Sequence, residues 1–332
     1  MGNYQKVLVT GATGFIGRRL CLELAQRGQS VKALCRNTAH PYALQHPLIE
    51  WVKGDILNKN SLLHAAMDCS HIYHTAALAK MWSRSADDFY QVNVLGTRNV
   101  LEVARDMQVS RVVYTSSCGV IGPTVRHPMT EDDPRCTGFP IAYERTKHLA
   151  ELEVKKLVEM GLDVVTVNPS RVFGEGPVTD SNTVGKMVRA YLKGRWRIIP
   201  GSGEQVANYV YLEDVVLGHI QAMVLGEKGH RYILGGEDVS FNRFFETLQR
   251  LTGTKRYMFK LPLRMIKLYS QAQWAKTKLT GLPPAFLPEF ADRLKFDQRY
   301  DSSKAIRQLK YSITPFEKGL ARTIRYIEKE MQ

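Results

Sequence analysis

Tyr143 and Lys147 are the residues whose types and spacing point most directly to chemistry. Residues four apart on a helix lie one turn apart on the same face, so the phenol and the ammonium group are expected to be neighbours. A free phenol has a pKa near ~10, which is too high for proton transfer at neutral pH. A neighbouring cation favours the phenolate, so we predict that Lys147 lowers the pKa of Tyr143 and makes it a usable acid and base.

Length and composition describe the protein that must position this pair. The chain has 332 residues, 44% of them hydrophobic and 23% charged, which is typical of a globular protein with one large domain or two unequal ones. It contains no run of 18 apolar residues and begins without a signal-peptide core, so we expect a cytoplasmic protein without a membrane span. The five cysteines form no Cys-x-x-Cys pair, and His71 and His74 lack a third ligand at metal spacing, so no metal site is predicted.

The first glycine-rich segment follows an apolar run at residues 7–10, which is typical of a buried parallel strand. The segment has the spacing Gly-x-x-Gly-x-x-Gly at Gly11, Gly14 and Gly17, and a helical pattern follows it. Gly11 permits a tight turn, Gly14 lets backbone N–H groups approach a pyrophosphate, and Gly17 allows close packing of helix on strand. This strand–turn–helix context predicts dinucleotide binding.

A second predicted strand, residues 31–35, indicates which dinucleotide is bound. It ends in Arg36, where NAD-specific proteins of this kind carry an acidic residue for the ribose hydroxyls. Arg36, with Arg18 and Arg19 at the start of the adjacent helix, suits a 2′-phosphate. We therefore predict NADP(H), with NAD(H) bound through other contacts as the alternative.

Together, the glycine turn and the Tyr143–Lys147 pair resemble the extended short-chain dehydrogenase/reductase family, within the NAD-dependent epimerase/dehydratase superfamily. The resemblance implies an α/β fold with a doubly wound parallel Rossmann sheet and a smaller, mostly helical C-terminal substrate domain. We place the dinucleotide-binding domain at residues 1–170 with returns near 206–235. The substrate-binding region is then residues 171–205 and 236–332.

The same resemblance implies roles for individual residues. Ser117 would be the third catalytic group, with Ser116 assisting, and Asn93 would support the site from within a long helix at residues 86–107. Lys147 would also bind the nicotinamide ribose. The implied cofactor-binding residues are Gly11, Thr13, Gly14, Phe15, Ile16, Gly17, Arg36, Asp55, Ile56, Ala76, Ala77, Lys147, Pro169 and Val172.

Three specialised branches of the family place extra residues that this chain lacks. Dehydratases carry an Asp-Glu pair after the catalytic serine, where this chain has Cys118 and Gly119. The fucose synthase branch pairs a cysteine like Cys118 with a histidine, but residues 180–189 contain none. Sugar-nucleotide epimerases carry an arginine for the diphosphate where this chain has Ala207. The segments 114–117 and 215–220 instead resemble the dihydroflavonol reductase and 3β-hydroxysteroid dehydrogenase group.

These comparisons predict an NAD(P)-dependent oxidoreductase that acts on a ketone or secondary alcohol, with Tyr143 as acid and base. A nucleotide-sugar epimerase and a non-catalytic NADP-sensing module remain as alternatives. Relatives in this group handle apolar substrates, and an apolar pocket would suit a small apolar carbonyl or alcohol compound. The residues expected to supply that pocket, along with ordinary core packing, are Tyr257, Met258, Phe259, Leu261, Leu263, Met265, Ile266, Trp274, Leu279, Phe286 and Leu287.

The net charge of +14 is concentrated near the C-terminus, where residues 251–332 hold 17 basic and 7 acidic side chains. No nucleic-acid-binding signature accompanies this charge, so we do not expect a nucleic-acid partner. Residues 255–280 interleave basic and apolar side chains, which suits either peripheral contact with an anionic membrane or a lid over the active site. Pro262 argues against one continuous helix here. A homodimer is also compatible with the sequence.

Overall fold

The computed structural model describes residues 6–39, 44–85, 87–284 and 286–332. Residues 1–5, on which part of the signal-peptide prediction rests, lie outside the described residues. So does residue 86, the first residue of the predicted long helix.

Seven parallel strands form the main sheet, and each pairs with its neighbours in the same direction. Their β-branched and apolar residues are buried because helices cover both faces, as expected for a parallel sheet. The strands are β1 (Lys6–Thr10), β2 (Val31–Cys35), β3 (Ile49–Lys53), β4 (Cys69–His74), β5 (Arg111–Thr115), β6 (Val164–Pro169) and β10 (Arg231–Leu234). Their order in the sheet is β10-β6-β5-β4-β1-β2-β3.

Two helical layers enclose this sheet. One layer contains α1 (Phe15–Gln26), α8 (Leu212–Leu225) and α12 (Ser303–Leu309), whose apolar side chains share a core with β1, β2 and β6. The other contains α2 (Lys59–Ala66), α4 (Gly96–Asp106) and α6 (Ala142–Glu159). The predicted doubly wound Rossmann fold is therefore confirmed.

The predicted helix at residues 86–107 is divided into three parts in the described residues. A short helix α3 (Asp87–Tyr90) continues into a π-helical turn at Gln91–Leu95, and α4 follows. The short helix α5 (Cys118–Ile121) begins directly after the strand β5 and its Ser116–Ser117 step.

A smaller region with its own core carries the remaining elements. The strands β7 (Arg171–Phe173), β9 (Val206–Tyr211) and β11 (Glu237–Ser240) form a three-stranded sheet in the order β11-β9-β7. Its apolar side chains pack with α7 (Thr183–Leu192), α9 (Phe241–Thr252) and α13 (Phe316–Met331). The outlying elements are β8 (Ile198–Pro200), β12 (Phe259–Leu261), α10 (Leu263–Thr280) and α11 (Pro288–Arg293).

One predicted return to the main sheet is wrong. The sequence predicts returns to this sheet near residues 206–235, but β9, at the start of that range, pairs with β7 and β11 instead. The chain returns through the helix α8, whose Val215, Val216 and Ala222 are fully buried in the core of the main sheet. The β10 strand does join the edge of that sheet, beside β6. The division into domains at the stated boundaries stays a prediction.

No helix among the described residues is long and apolar enough to cross a membrane. The same part of the chain contains no group of three or more His, Cys, Asp or Glu side chains that could hold a metal ion.

Candidate active site

The residues predicted to act on a cofactor meet at one edge of the main sheet. In a parallel sheet all strands end at the same edge, and here β1, β2, β4, β5 and β6 end next to the predicted positions. β1 lies between β2 and β4, so the chain order reverses beside the glycine turn. A crevice at the carboxyl ends of the strands, at such a reversal, is where open α/β sheets bind ligands.

The glycine turn has the geometry that a dinucleotide requires. Gly11 adopts a φ of 70°, and a Cβ there would lie 2.6 Å from the backbone nitrogen of Ala76. A Cβ on Gly17 would lie 2.3 Å from the Gly11 carbonyl oxygen, so helix and turn could not pack as they do. Gly14 is exposed and caps α1 without a side-chain hydrogen bond, which leaves first-turn N–H groups available to a phosphate. These residues fit the cofactor that the sequence predicts.

The other side chains of this turn are directed elsewhere. Phe15 is buried and its ring lies against Gly176 of the loop after β7, while Ile16 packs against the core of the main sheet. Thr13 is partly exposed beside Gly14. Phe15 and Ile16 can therefore offer a ligand their backbone N–H groups but little of their side chains.

Arg36 is exposed immediately after β2, at the ligand-binding edge. The expectation that Arg19 supports it is wrong. The Arg19 guanidinium forms ion pairs with Glu213 (2.6 Å) and Glu23 (3.0 Å), which direct it towards the start of α8. The predicted preference for a 2′-phosphate therefore depends on Arg36 and on Arg18, which precedes Arg19 on α1.

The segments after β3 and β4 supply the remaining predicted contacts on this side. The Asp55 carboxylate accepts a hydrogen bond from the Leu57 N–H (3.0 Å), which fixes the turn, and Ile56 is buried against Gly96. Ala76 and Ala77 are partly buried, and the Ala76 backbone lies next to Gly11 with its N–H donating to the Thr10 hydroxyl (3.3 Å). The cofactor roles of these four residues stay predictions.

Tyr143 and Ser117 are brought together by β5 and the first turn of α6. The Ser117 hydroxyl lies near the Tyr143 phenol, although 26 residues separate the two in the sequence. Burial raises the pKa of Tyr143 to about 12, and the nearby Ser117 hydroxyl partly opposes that shift. The predicted lowering of the Tyr143 pKa by Lys147 is wrong for this structure, because burial of the phenol dominates.

Lys147 lies one helical turn from Tyr143 and is 1% exposed. Its ammonium donates to the Thr115 carbonyl (2.5 Å) and lies 4.3 Å from the centre of the Tyr114 ring. Burial lowers the pKa of Lys147 to about 7, while Glu151, one further turn along α6, raises it. A group that is easily deprotonated and faces the end of β5 is typical of a functional site.

Ser116 cannot assist Ser117 in the way that the sequence suggested. Its buried hydroxyl donates to the Glu151 carboxylate (2.5 Å), and Asn168 donates to the same oxygen (2.9 Å). The Asn168 amide also donates to the Ser117 carbonyl (3.1 Å). Successive residues of an extended chain point in opposite directions, so Ser116 is directed behind the site while Ser117 faces Tyr143.

Asn93 lies in the π-helical turn and is fully buried. Its side chain accepts a hydrogen bond from the Leu78 N–H (2.7 Å) and donates to the Thr146 hydroxyl (3.0 Å). Asn93 therefore ties the loop after β4 to the helix that carries Tyr143 and Lys147. π-Helical turns of this kind are often found at functional sites.

Sequence reasoning missed a buried ion-pair network next to Tyr143. Glu144 is 3% exposed and accepts from Arg135 (2.9 Å), in the loop before α6, and from Arg293 (2.7 Å), the last residue of α11. Arg135 also donates to the Val120 carbonyl (3.3 Å) behind Ser117. An acidic residue in the first turn of a helix is an ordinary signal, and nothing in the sequence pairs it with an arginine 149 residues away.

The remaining predicted cofactor contacts, Pro169 and Val172, lie in β6 and β7, and their cofactor roles stay predictions. Pro169 is buried at the end of β6, and Val172 is partly buried in β7, opposite Val210. Cys118 is buried and lies 3.1 Å from the Asn168 carbonyl, and burial raises the pKa of its thiol well above the usual value. Cys118 is therefore a packed core residue.

The predicted apolar pocket lining is partly wrong. Tyr257, Phe259, Met265 and Leu279 are exposed, whereas Ile266 is buried. Met265, Ile266 and Leu279 lie on α10, one face of which packs on the protein while the other does not, and Tyr257 and Phe259 lie before this helix. Pro262 does not interrupt this helix, because it lies directly before it as the N-cap residue.

The chain matches the NAD dependent epimerase/dehydratase family over residues 7–235. It is 30% identical to a Synechocystis sp. protein provisionally named dihydroflavonol 4-reductase, covering 96% of this chain and 94% of that protein. It is 34% identical to sterol demethylase protein B of Methylococcus capsulatus, covering 91% and 92%. Among solved structures it is similar to MoeE5 in complex with UDP-glucose and NAD, with 25% identity, a TM-score of 0.79 and coverage of 98% and 100%.

The protein therefore belongs to the NAD-dependent epimerase/dehydratase family. The fold and the homologues identify it as an NAD(P)-dependent oxidoreductase of the extended short-chain dehydrogenase/reductase type.

Proposed function

We propose that the protein transfers a hydride between a nicotinamide cofactor and the ketone or secondary alcohol of an apolar substrate, with Tyr143 as the acid and base. The observation that carries this proposal is that the Ser117 hydroxyl lies near the Tyr143 phenol at the carboxyl edge of the sheet. Lys147 lies one turn away, and the glycine turn opens onto the same edge. This arrangement supports the assignment of Tyr143 as a proton donor to a substrate held beside the predicted cofactor site.

When bound, the cofactor would supply or accept the hydride. In ketone reduction, Tyr143 would donate its proton to the substrate oxygen, while the Ser117 hydroxyl would hold that oxygen in place. The raised pKa of Tyr143 keeps the phenol protonated at neutral pH, which suits the reductive direction. Asn93 would maintain the backbone at Leu78, and Lys147 would bind the cofactor ribose.

The cofactor in this proposal is NADP(H), with NAD(H) as the alternative. An exposed guanidinium at Arg36, with no carboxylate at that position, supports binding of a 2′-phosphate. Both alternatives are nicotinamide cofactors, and the similar protein MoeE5 was solved with NAD.

An apolar carbonyl substrate is supported by what surrounds the site. Ala207, where a sugar-nucleotide epimerase would need an arginine, is buried in β9, and Cys118 is packed away from Tyr143. The second candidate is a nucleotide-sugar epimerase, which the likeness to MoeE5 with UDP-glucose favours. A non-catalytic NADP-sensing module would not require Ser117, Tyr143 and Lys147 to converge.

A substrate screen separates these functions. We expect purified protein to consume NADPH with one or more apolar ring or long-chain ketones, and to leave UDP-glucose unchanged with NAD. Conversion of UDP-glucose to its epimer without net cofactor consumption would favour the epimerase. Tight NADPH binding without turnover of any compound would favour the sensing module.

The proposal also includes the setting in which the enzyme acts. It places the protein in the cytoplasm, with residues 255–280 in peripheral contact with a membrane surface where an apolar substrate dissolves. A homodimer is included as a prediction, which light scattering during size-exclusion chromatography would test.

A further inference from the structure

We propose that an exposed apolar face at β12 and α10 binds the surface of an anionic lipid bilayer. We call this face the α10 surface, and its members are Tyr257, Phe259, Met265, Leu268, Tyr269 and Leu279. The inference extends the membrane contact within the proposed function, and vesicle binding tests it without any catalytic reaction.

The spacing of these residues shows that they form one face. Met265, Leu268, Tyr269 and Leu279 recur at helical intervals along the 18 residues of α10. Leu279 is 87% exposed and Leu268 is 68% exposed, whereas Ile266, Ser270 and Thr277 on the opposite face are buried. The helix is therefore anchored by one side and presents an apolar side outward.

The β12 strand extends this face beyond the helix. Tyr257 and Phe259 are 73% and 58% exposed, and their ring centres lie 4.8 Å apart. Phe259 pairs with Ile198 of β8, which is also exposed. Seven of the 19 exposed large apolar side chains in the described residues lie within 257–282, so this exposure is concentrated rather than scattered.

The charge around the α10 surface indicates that its binding partner is anionic. The sequence from residue 247 to residue 288 contains no Asp or Glu but eight Lys or Arg residues. Lys267 pairs with Asp292. The basic residues of this stretch without an ion pair among the described residues include Lys255, Lys260, Arg264, Lys276 and Lys278. Basic side chains beside exposed aromatic and aliphatic ones are typical of helices that lie at an anionic bilayer surface.

The same charge argues against a second copy of this chain as the partner. A two-fold symmetric interface places the same patch on both sides, so basic residues such as Lys260, Lys276 and Lys278 would face one another, and residues 247–288 supply no acidic side chain to pair with them. The apolar side chains between the charges also distinguish this face from one that binds a phosphate backbone. An anionic bilayer satisfies both the charge and the apolar surface.

Vesicle co-sedimentation with the full chain tests the proposal. We expect binding to phosphatidylcholine vesicles that contain phosphatidylglycerol, weaker binding at high salt, and little binding to phosphatidylcholine alone. The double variant Lys276→Gln, Lys278→Gln should weaken binding about 30-fold, since each basic residue near the surface contributes about 1 kcal/mol. The matched control Lys318→Gln, Lys329→Gln removes the same charge from α13 and should bind normally.

A second pair of variants tests the apolar side chains. Leu268→Ser with Leu279→Ser should weaken vesicle binding, whereas Val224→Ser, which alters an equally exposed apolar residue on α8, should not. Both should turn over a water-soluble ketone at the unmodified rate if the proposed activity is correct. Protein that remains in the supernatant with anionic vesicles at low salt would overturn the inference. So would equal losses in the control variants, or a dimer that dissociates in the Leu268→Ser, Leu279→Ser variant.

Discussion

The active-site edge and the α10 surface differ both in the kinds of residues they contain and in how far those residues are buried. At the active-site edge, polar and charged groups such as Asn93, Glu144 and Lys147 are almost fully buried and hydrogen-bonded. At the α10 surface, large apolar side chains such as Leu268 and Leu279 are exposed. In most proteins apolar side chains are buried and polar ones are exposed, and both regions depart from this rule. Packing alone does not explain why these residue types occur at these positions.

The two regions are connected through one buried carboxylate. α10 packs beside α11, with Lys267 paired to Asp292, and the next residue, Arg293, reaches Glu144 beside Tyr143. The comparison therefore predicts that changes at the active-site edge affect turnover and stability strongly, while changes at the α10 surface affect association and leave the folded protein intact.

The largest effect is expected from Tyr143→Phe, which removes the proposed proton donor and keeps the ring. We expect kcat to fall by about 10²–10⁴-fold, the range typical of a general acid or base. Steady-state kinetics with NADPH and an accepted ketone measure this change. The control is Tyr311→Phe, which removes another buried hydroxyl, bonded to the Gly235 carbonyl, away from the site. A normal rate in Tyr143→Phe would contradict the mechanism.

Ser117→Ala should lower kcat by about 10²–10³-fold, as expected for loss of one group that holds the reacting oxygen. Ser116 cannot replace it, because its hydroxyl is bonded to Glu151. Ser116→Ala provides the matched control and should retain most of the activity. Equal losses of activity in the two variants would contradict the proposal that Ser117 holds the reacting oxygen.

Glu144→Ala should lower the free energy of unfolding by about 3–5 kcal/mol, because it leaves Arg135 and Arg293 without their buried partner. Chemical denaturation measures this value. Glu317→Ala, which breaks the exposed pair with Arg250, should have little effect on the free energy of unfolding. Equal changes in the free energy of unfolding would mean that the ion pairs between α11 and α6 contribute little to stability.

Arg36→Asp should reverse the cofactor preference. The lost charged hydrogen bond is worth about 1.5–3 kcal/mol, or roughly 10–150-fold in NADPH affinity. Titration of the free enzyme with NADPH and NADH measures both affinities. Arg105→Asp, on the exposed side of α4, should leave them unchanged. Equal affinity of the unmodified protein for both cofactors would contradict the assignment of Arg36.

The last prediction concerns the pH dependence of stability, where the expected change per unit of pH is the smallest of these effects. Lys147 has a pKa of about 7 in the folded protein and an ordinary value of 10.5, so between these values the unfolded chain binds the extra proton. The free energy of unfolding should therefore rise with pH across this window, by up to about 1.4 kcal/mol per unit. Lys147→Met should remove this contribution, and Lys155→Met, exposed on the same helix, should not. An unchanged slope in Lys147→Met would show that Lys147 stays protonated.

The sequence by itself determined the parts of this protein that depend on local spacing. The strand–turn–helix pattern around Gly11, Gly14 and Gly17 specifies a dinucleotide-binding fold, because each glycine meets a steric requirement of that turn. The four-residue spacing of Tyr143 and Lys147 specifies a shared helix face. Glu151 follows at the same spacing and could have been found in the same way.

Only the tertiary structure decided which distant groups meet and which side chains are buried. It directed Ser116 towards Glu151 and Arg19 towards Glu213, and it joined Glu144 to Arg293 across the chain. It also placed apolar residues such as Leu279 on the outside, although their sequence pattern equally suits a pocket. Helical and strand periodicity defines which residues share a face, but what covers that face depends on contacts between segments far apart in the sequence.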